Sequence, residues 1–336
     1  MGLQRRNESK WLCPWQQAGG YERTKGNSLR QKETAPPHGD VATIRFIPTC
    51  FISLFQYNEC MSRVDEIFIE NCKQILAHGY DNTGETVRPR WEDGTPAYTK
   101  KLFGLVNRYD LQVEFPASTI RPVPLKNAID EVLWIWQKKS NRLSELKSKV
   151  WDQWALPDGT IGKAYGYQLG IKHQYADGEF DQVDRILFDL KHNPESRRIL
   201  ASMYTFADLH DMALYPCAYS LTLNVTGNVL NAILNQRSQD MLAASFWNVA
   251  QYAALVHMFA QVSDLVAGEF IHVVADSHIY DRHIPIIEQL IARPSYKAPT
   301  LLINRDIKNF YAFTPDDFRL ENYEHGAPIG RIEMAV

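Results

Sequence analysis

The chain lacks the features that mark disulfide-stapled, membrane-spanning and strongly basic proteins. It has only five cysteines, scattered without a Cys-x-x-Cys pair, so a disulfide framework or a zinc knuckle is disfavoured and a reducing cytoplasm is predicted. No run of about 18 apolar residues occurs, which excludes a membrane-spanning helix. The 36 basic and 39 acidic residues give a net charge of −3, so no global basic field points to nucleic acid.

The chain does contain enough apolar residues for a sizeable core, and it divides into two unequal parts. Hydrophobic residues make up 45% of its 336 residues, a length that suits about two domains, or one large domain with an extension. Residues 1–60 hold 8 basic and 5 acidic side chains, and residues 1–40 show no apolar period. We therefore predict a disordered or non-native extension at 1–60 and a single catalytic domain at 61–336.

The apolar pattern of the second part predicts both helices and strands. Helical spacing occurs at residues 64–77, 127–137 and 247–266. Alternating residues at 219–225 and 229–234 flank a Thr-Gly-Asn turn and predict a hairpin, and further strands are predicted at 199–204 and 269–275. Because strands and helices mix without regular βαβ alternation, the pattern indicates an α+β fold.

Two short groups of residues resemble a nucleophile and an anion site. Cys217 follows Pro216 and is either a small buried side chain or a nucleophile held at a strand start near cationic groups. The stretch from Asn235 to Asp240 combines an arginine fork, a hydroxyl and an acid. That combination suits either a phosphate or an ion-paired strand end.

Two further groups are an arginine pair and a His-x-Tyr segment. Arg197 and Arg198, taken as neighbours on a strand, point to opposite faces, so both serve one anion only with a bend or from a neighbouring subunit. Otherwise they form a solvated charge pair. His278 and Tyr280, two apart on an extended segment, share a face and can meet one ligand, although a satisfied core pair is the more frequent outcome.

The order and spacing of these groups resemble those of the thymidylate synthases. The resemblance runs from about Arg88 to Val336, and the body without insertions is most similar to compact bacterial and bacteriophage members. The motifs that carry it are Glu131-x-Leu133-Trp134, Trp151-Asp152-x-Trp154, Tyr165-Gly166, Ser196-Arg197-Arg198, Pro216-Cys217, Gln236-Arg237-Ser238-x-Asp240, Asn248-x-Ala250-x-Tyr252, Asp276-x-His278-x-Tyr280 and Glu333-Met334-Ala335-Val336.

The resemblance implies a fold and a reaction. The fold is a mixed, mainly antiparallel sheet flanked by helices, in a homodimer that joins sheet to sheet. The reaction is the reductive methylation of dUMP to dTMP, with 5,10-methylenetetrahydrofolate as the donor of the one-carbon unit and the hydride, and dihydrofolate as the second product. Cys217 is implied as the nucleophile that adds to C6 of the pyrimidine, and no metal is expected.

The resemblance also assigns residues to three roles. Catalytic roles fall to Cys217, Glu131, Tyr165, Asn248, Asp240 and Arg237. Binding of dUMP falls to Arg88, Arg237, Ser238, Gln239, Asp240, Asn248, His278 and Tyr280, together with Arg197 and Arg198 from the other subunit. Binding of folate falls to Trp151, Trp154, Asp240, Arg121, Leu214, Ala335 and Val336.

Elementary chemistry gives reasons for several of these implied roles. Positive charge on Arg237 beside the sulfur favours the thiolate. The Asn248 amide offers a donor and an acceptor, which suits the O4 and N3–H edge of uracil. Glu131, a lone acid in a buried helix, needs a role such as proton transfer, because burial without partners is costly. Arg88 is the expected loop arginine of the phosphate site, with Arg90 as the neighbouring alternative.

Some positions depart from the family pattern and leave alternatives open. Ala218, Ala244 and Pro124 stand where many members have His, Gly and His, and Arg121 stands where a Lys is frequent. One alternative is a deoxyuridylate hydroxymethylase, in which water captures the methylene intermediate, although the bulky Trp151 and Leu214 favour hydride transfer. The other is a non-catalytic regulator that binds nucleotides or RNA. Only the net charge of +3 in residues 1–60 favours this alternative.

Overall fold

The computed structural model describes residues 61–336, so the predicted extension at 1–60 lies outside the described residues. The helices of the described part are α1 (Arg63–His78), α2 (Leu125–Trp136), α3 (Gly166–Gly170), α4 (Gln182–His192), α5 (Ser245–Val262) and α6 (Ile284–Ile291). Its strands are β1 (Tyr80–Asp81), β2 (Thr99–Asp110), β3 (His173–Tyr175), β4 (Gly178–Phe180), β5 (Leu200–Ser202), β6 (Ala218–Thr226), β7 (Val229–Asp240), β8 (Val266–Tyr280), β9 (Thr300–Ile303) and β10 (Phe318–Glu321).

Six of these strands form one sheet in the order β1-β2-β8-β7-β6-β5. All neighbouring pairs are antiparallel except β7 and β8, which run parallel because the long helix α5 connects them. Two-stranded sheets β9-β10 and β3-β4 stand apart from it. The predicted α+β fold with a mixed, mainly antiparallel sheet is confirmed.

The predicted hairpin and the first two helices are confirmed, whereas two local predictions were wrong. The helix predicted to reach residue 266 ends at Val262, because Asp264 adopts a positive φ of 56° and Val266 already begins β8. Arg197 and Arg198 lie in the turn between α4 and β5 rather than on a strand. The argument from opposite faces of a strand therefore does not apply to them.

The core lies between the sheet and the helices α1, α2 and α5. Helix α5 is buried on nearly every side, and so is α2, whose Trp134 and Trp136 have no exposed surface. Trp136 meets Tyr252 and Phe259 of α5 edge-to-face, with ring centroids 6.1 and 6.0 Å apart. Truncating a tryptophan of this kind to alanine costs about 3–5 kcal/mol, so this layer fixes the position of α5 against the sheet.

Several apolar side chains of the sheet remain exposed in the described chain. Val106 on β2, Ile233 on β7 and Leu200 on β5 are 55%, 37% and 51% exposed. Leu200 and Ile233 both pair with Thr222 of β6. Val106 pairs with Val273 of β8, whose other partner, Asn235, is two residues from Ile233 on β7. The sheet therefore presents an apolar surface of its own to the outside.

Candidate active site

Cys217 stands at the entrance to β6, and Arg237 on β7 holds the loop that carries it. The guanidinium donates hydrogen bonds to the carbonyl oxygens of Tyr215 at 2.6 Å and Pro216 at 3.1 Å. Its Nη2 lies 3.6 Å from the Cys217 Sγ, and the Arg237 backbone N–H donates to the Cys217 carbonyl at 2.9 Å. One arginine therefore fixes the loop and places positive charge at the sulfur.

Burial and positive charge have opposite effects on the pKa of the Cys217 thiol. Burial raises the pKa of the Cys217 thiol, and the charges of Arg237 and Arg88 with a contribution from Tyr165 only partly oppose this effect. The net direction is a raised pKa, so Arg237 limits the cost of the thiolate without making it the dominant form. The charge of Arg237 acts in the expected direction, towards the thiolate, but burial outweighs it in the protein without substrate.

Tyr165 lies beside Cys217 and carries unusual backbone geometry. Its hydroxyl oxygen accepts a hydrogen bond from the Cys217 backbone N–H at 2.9 Å. Its φ is +48°, a conformation that costs free energy for a residue with a side chain and is found disproportionately at functional sites. The ring packs edge-to-face on Trp151 at 5.1 Å. Tyr165 thus joins the nucleophile loop to the aromatic residues next to it.

Glu131 is a buried carboxyl on α2 that receives a hydrogen bond from α5. The Trp247 indole N–H donates to Glu131 Oε2 at 2.8 Å. Burial raises the pKa of Glu131 to about 7, an effect that the hydrogen bond from Trp247 opposes and the charge of Asp130 reinforces. The carboxyl can therefore hold or release a proton near neutral pH, which suits a general acid or base.

Asn248 lies in the first turn of α5, where neighbouring amides hold its side chain. Its Oδ1 accepts from Gln236 Nε2 at 3.1 Å, and its Nδ2 donates to Gln251 Oε1 at 3.3 Å. Gln251 in turn donates to the carbonyl oxygen of Ala128 on α2 at 3.1 Å. The amide is therefore oriented by the protein and keeps one donor and one acceptor position for another group.

Asp240 and two histidines meet at the end of β7. Asp240 Oδ1 accepts from the backbone N–H groups of Leu242 and Ala243 at 2.8 and 3.1 Å, which leaves Oδ2 near His283 Nδ1 at 3.7 Å. Burial alone would raise the pKa of Asp240, but His283, His278 and the backbone donors outweigh it, so the pKa is lowered. Asp240 is therefore an anion with one carboxylate oxygen directed away from the turn.

His278 and Tyr280 share a face of β8, as their spacing predicts. Their rings meet edge-to-face with centroids 5.1 Å apart. His278 Nδ1 lies 2.8 Å from Asp276 Oδ1, so this nitrogen donates to the carboxylate and Nε2 is left for another partner. The pair can offer both a hydroxyl and a ring nitrogen to one ligand.

The C-terminal tail is fixed to the loop that carries Arg88 and Arg90. The backbone groups of Arg90 and Val336 exchange two hydrogen bonds of 2.9 Å, while the Arg90 side chain donates to the carbonyls of Val87 and Pro89. Arg88 is exposed, and its charge acts on Cys217 and Tyr280. Of the two arginines, Arg88 is the one whose charge favours the thiolate of Cys217.

Other predicted site residues lie less directly at this centre. Trp151 is 7% exposed and packs edge-to-face on the more open Trp154 at 5.4 Å, and Leu214 packs partly buried against the core. Arg121 donates to the Leu242 carbonyl at 2.5 Å and lies over Phe246. The remaining predicted residues take three positions: Ser238 is half-buried on β7, Ala335 is half-buried in the tail, and Gln239 is buried beside α1.

Gln239 and Arg121 are the two residues that the structure separates most clearly from the predicted site. Gln239 lines a small cavity with Val64 and Phe68 of α1 instead of the nucleophile loop. Arg121 uses its guanidinium on a backbone carbonyl and an aromatic ring, and burial lowers its pKa to about 10. In this conformation, Gln239 is buried away from Cys217, and Arg121 is bound to the Leu242 carbonyl.

Three residues contribute to the site that sequence reasoning missed. Trp247 binds Glu131, Gln251 holds Asn248, and His283 joins Asp240 to the tail through a contact of 2.9 Å with the Glu333 carbonyl. The signal for Gln251 was its position three residues after Asn248, which places both on one side of a helix. Trp247 and His283 act across more than 40 residues of sequence and gave no local signal.

The described residues give no sign of a metal centre or a membrane span. Within 61–336, no three His, Cys, Asp or Glu side chains are grouped so that they could hold a metal ion. No helix in the same range is long and apolar enough to cross a bilayer.

Comparison with known proteins shows the family to which the chain belongs. A family model described as thymidylate synthase matches residues 66–336. Curated thymidylate synthases of Bacillus licheniformis and Bacillus phage phi3T are 45% and 42% identical to the chain over 281 residues, which cover 82% of this chain and 100% of each relative. The solved thermostable thymidylate synthase A from Bacillus subtilis is similar with a TM-score of 0.77 and 40% identity, covering 81% of this chain and 99% of that one. The chain belongs to the thymidylate synthase family.

Proposed function

We propose that Cys217 carries the family's reaction in this protein by adding to C6 of dUMP. Membership of the thymidylate synthase family makes the protein a methyltransferase that makes dTMP from dUMP using a folate. The observation that supports Cys217 most directly is the distance of 3.6 Å between its sulfur and the Arg237 guanidinium, just before β6 begins. Addition of the thiolate at C6 moves electrons to C5 and O4, so C5 becomes the nucleophile for a one-carbon unit.

The raised pKa of Cys217 places a condition on this step. A thiol that is mostly protonated without substrate must release its proton to the solvent when dUMP binds and the sulfur attacks C6. The charges of Arg237 and Arg88 lower the free energy needed to form the thiolate. The thiolate then reacts as it forms, by bonding to C6 of the bound pyrimidine. In this proposal, the thiolate is formed at the moment of attack rather than stored.

Glu131 and Tyr165 are proposed to move protons during the reaction. A carboxyl with a pKa of about 7 can give a proton towards O4 when the enolate forms and take it back later. Tyr165 already contacts the Cys217 backbone, so its hydroxyl lies near the pyrimidine that the sulfur attacks, where it assists removal of the C5 proton through water. The two proposed proton-transfer roles therefore fall to different elements, Glu131 on α2 and Tyr165 in the loop before α3.

Phosphate and ribose recognition are proposed to use residues around the nucleophile. Arg237 donates hydrogen bonds from Nε and Nη2 to backbone carbonyls, so its Nη1 remains for the phosphate, beside the half-buried Ser238. Arg88 is the proposed loop arginine. His278 and Tyr280 are the proposed contacts of the ribose hydroxyl, for which their shared face and the free Nε2 are suited.

The phosphate site is proposed to be completed by Arg197 and Arg198 of a second copy. Both arginines lie in a turn with no carboxylate within ion-pair distance among residues 61–336, so they are available to an anion outside their own subunit. The apolar outer face of the sheet, with Val106 and Ile233, is the proposed contact between the two sheets. Mixing a Cys217→Ala protein with an Arg198→Glu protein tests this, because each mixed dimer would regain one intact site.

The folate site is proposed to lie between Asp240, the tryptophans and the C-terminal tail. The fit rests on Asp240 Oδ2, which the turn does not use and which lies 3.7 Å from His283 Nδ1, and on the half-buried Trp154 and Leu214. 5,10-Methylenetetrahydrofolate supplies the one-carbon unit and the hydride. Asp240 would anchor its pterin, Trp151 and Trp154 would flank it, and Ala335 and Val336 would exclude water. Arg121 keeps its proposed place near the glutamyl tail only if it leaves the Leu242 carbonyl.

The reaction is tested by incubation with dUMP and 5,10-methylenetetrahydrofolate, followed by mass analysis of the nucleotide and absorbance of the folate. We expect dTMP and dihydrofolate in equal amounts. A hydroxymethyl nucleotide with tetrahydrofolate would instead establish a hydroxymethylase, and no turnover at all would favour a nucleotide-binding regulator. The cytoplasmic location predicted from the scattered cysteines of the sequence stays part of the same proposal.

A further inference from the structure

Four amide and imidazole side chains link the sheet to the two central helices. His272 Nε2 on β8 lies 2.8 Å from Gln236 Oε1 on β7. Gln236 then donates to Asn248 at 3.1 Å, Asn248 to Gln251 at 3.3 Å, and Gln251 to the Ala128 carbonyl at 3.1 Å. We call these four side chains the amide chain. His272, Gln236 and Gln251 are each at most 2% exposed, so water does not compete for their contacts.

The direction of every hydrogen bond in the amide chain is determined by its partners. Gln236 Nε2 also donates to the Ser238 carbonyl at 2.9 Å, and a carbonyl only accepts. The Gln236 oxygen must therefore be the atom near His272, and His272 must donate through Nε2–H. Burial lowers the pKa of His272 to about 3, so the ring is neutral and its Nδ1 carries no proton.

A small cavity at the other side of the imidazole agrees with this tautomer. His272 Nδ1 and Gln239 Nε2 have no hydrogen-bond partner within residues 61–336. Both residues line a cavity of about 10 Å³ beside α1, close to the volume that one water molecule requires. The cavity has room for one water, which could accept from Gln239 Nε2 and donate to a bare His272 Nδ1, an arrangement compatible with the ring proton on Nε2.

The amide chain determines which pyrimidine edge Asn248 can pair with. With Oδ1 turned to Gln236 and Nδ2 turned to Gln251, Asn248 keeps one N–H and one lone pair, which match O4 and N3–H of uracil. Cytosine presents an N–H donor where uracil has O4 and an acceptor at N3, so it requires the amide turned over. A turned amide would set Asn248 Nδ2 against Gln236 Nε2, donor against donor.

We propose that His272 is a positioning residue for pyrimidine selection, which holds the Asn248 amide, through Gln236, in the orientation that accepts uracil and rejects cytosine. The inference rests on the proposed contact of Asn248 with the pyrimidine. Without the His272 donor, Gln236 Oε1 becomes a buried acceptor with no partner, and rotation of the Gln236 amide relieves it. Rotation of Gln236 then releases Asn248.

The test measures the dissociation constants of dUMP and dCMP by calorimetry on the full chain. His272→Phe keeps a ring but removes the donor, and His272→Gln restores an N–H at a similar reach. Phe270→Leu is the matched control, since Phe270 is fully buried two residues away on the same strand and its ring stacks near His272 without a hydrogen bond. Asn248→Asp tests the pyrimidine contact itself.

We expect His272→Phe to lower the preference for dUMP over dCMP roughly tenfold, the effect of losing one buried hydrogen bond. His272→Gln and Phe270→Leu should keep the preference. An unchanged preference in His272→Phe, or an equal loss in Phe270→Leu, would overturn the role of His272. If Asn248→Asp also left the preference unchanged, the proposed pyrimidine contact would fail first.

A second measurement does not depend on the folding of any variant. Nitrogen chemical shifts of the His272 ring in the wild-type protein distinguish the two neutral tautomers. The amide chain requires a protonated Nε2 and a bare Nδ1 at neutral pH. A proton on Nδ1, or a ring that is charged at pH 6, would overturn the inference even if every variant failed to fold.

Discussion

The indole N–H of Trp247 donates a hydrogen bond to Glu131 Oε2 across 2.8 Å and 116 residues of sequence. It joins the first turn of α5 to the middle of α2, two helices that are both buried. Because the indole stabilises the carboxylate, it holds the pKa of Glu131 closer to neutrality than burial alone would allow. The pair therefore sets the pH at which the proposed proton transfer operates.

Trp247→Phe should move the pH dependence of the reaction to higher pH. Loss of the hydrogen bond removes one of the contacts that favours the Glu131 carboxylate, so its pKa rises above about 7. A hydrogen bond to a charged group contributes about 1.5–3 kcal/mol, which corresponds to a shift of one to two pH units in the limb assigned to Glu131. The measurement is kcat/KM for dUMP between pH 5 and 9.

Trp134→Phe is the matched control for that experiment. Trp134 is also buried on α2, and its indole donates to the Arg142 carbonyl at 3.0 Å instead of to Glu131. We expect it to lower the thermal unfolding temperature and leave the pH limb in place. An equal shift in both variants would show that general loosening of α2, rather than the contact with Glu131, moves the profile.

Glu131→Gln should stabilise the protein more at pH 8 than at pH 5. The pKa of Glu131 is raised from 4.5 to about 7 in the fold, so the unfolded chain loses its proton at lower pH than the folded chain. The contribution of Glu131 to the free energy of unfolding therefore falls by at most on the order of 3 kcal/mol between about pH 4.5 and 7, and it is constant at higher pH. Glutamine does not ionise. Thermal unfolding of both proteins should show a difference that grows through this window, and a constant difference would contradict the raised pKa.

Alkylation of Cys217 should accelerate steeply with pH in the protein without substrate. The pKa of its thiol lies above the ordinary value of 9.0, so the reactive thiolate is scarce at neutral pH. The rate with iodoacetamide, followed by peptide mapping, should rise about tenfold per unit from pH 7 to 9. Arg237→Gln should slow it further at each pH. A plateau below pH 8 would mean that the thiolate is already the stable form.

The sequence predicted those parts of the fold that local pattern determines. The hairpin around Gly227 and the buried helix α2 follow from alternation, a turn residue and a continuous apolar surface. Strand β2 was missed because its partner β8 lies more than 150 residues later, and pairing at that distance leaves no local trace. The end of α5 was missed because the break is a backbone conformation at Asp264.

The residues of the candidate site also fall into two groups, those implied by sequence motifs and those that only the fold brings together. Cys217, Arg237 and Asn248 stand in motifs whose order and spacing carry the family resemblance, so that resemblance already implied their roles. The partners that set their protonation and orientation, Trp247 and Gln236, depend on which helix packs on which strand. Gln236 stood within a quoted motif, yet only the fold shows that its amide meets Asn248.

The central claim, that Cys217 adds to the pyrimidine, is tested most directly with a dUMP analogue that carries fluorine at C5. Fluorine cannot leave as a proton does, so the covalent adduct should accumulate once the one-carbon unit is attached. After incubation with 5,10-methylenetetrahydrofolate and proteolysis, we expect the combined mass of nucleotide and folate on the peptide that contains Cys217, and none in Cys217→Ser. An unmodified Cys217 peptide, or an adduct on another residue, would contradict the claim.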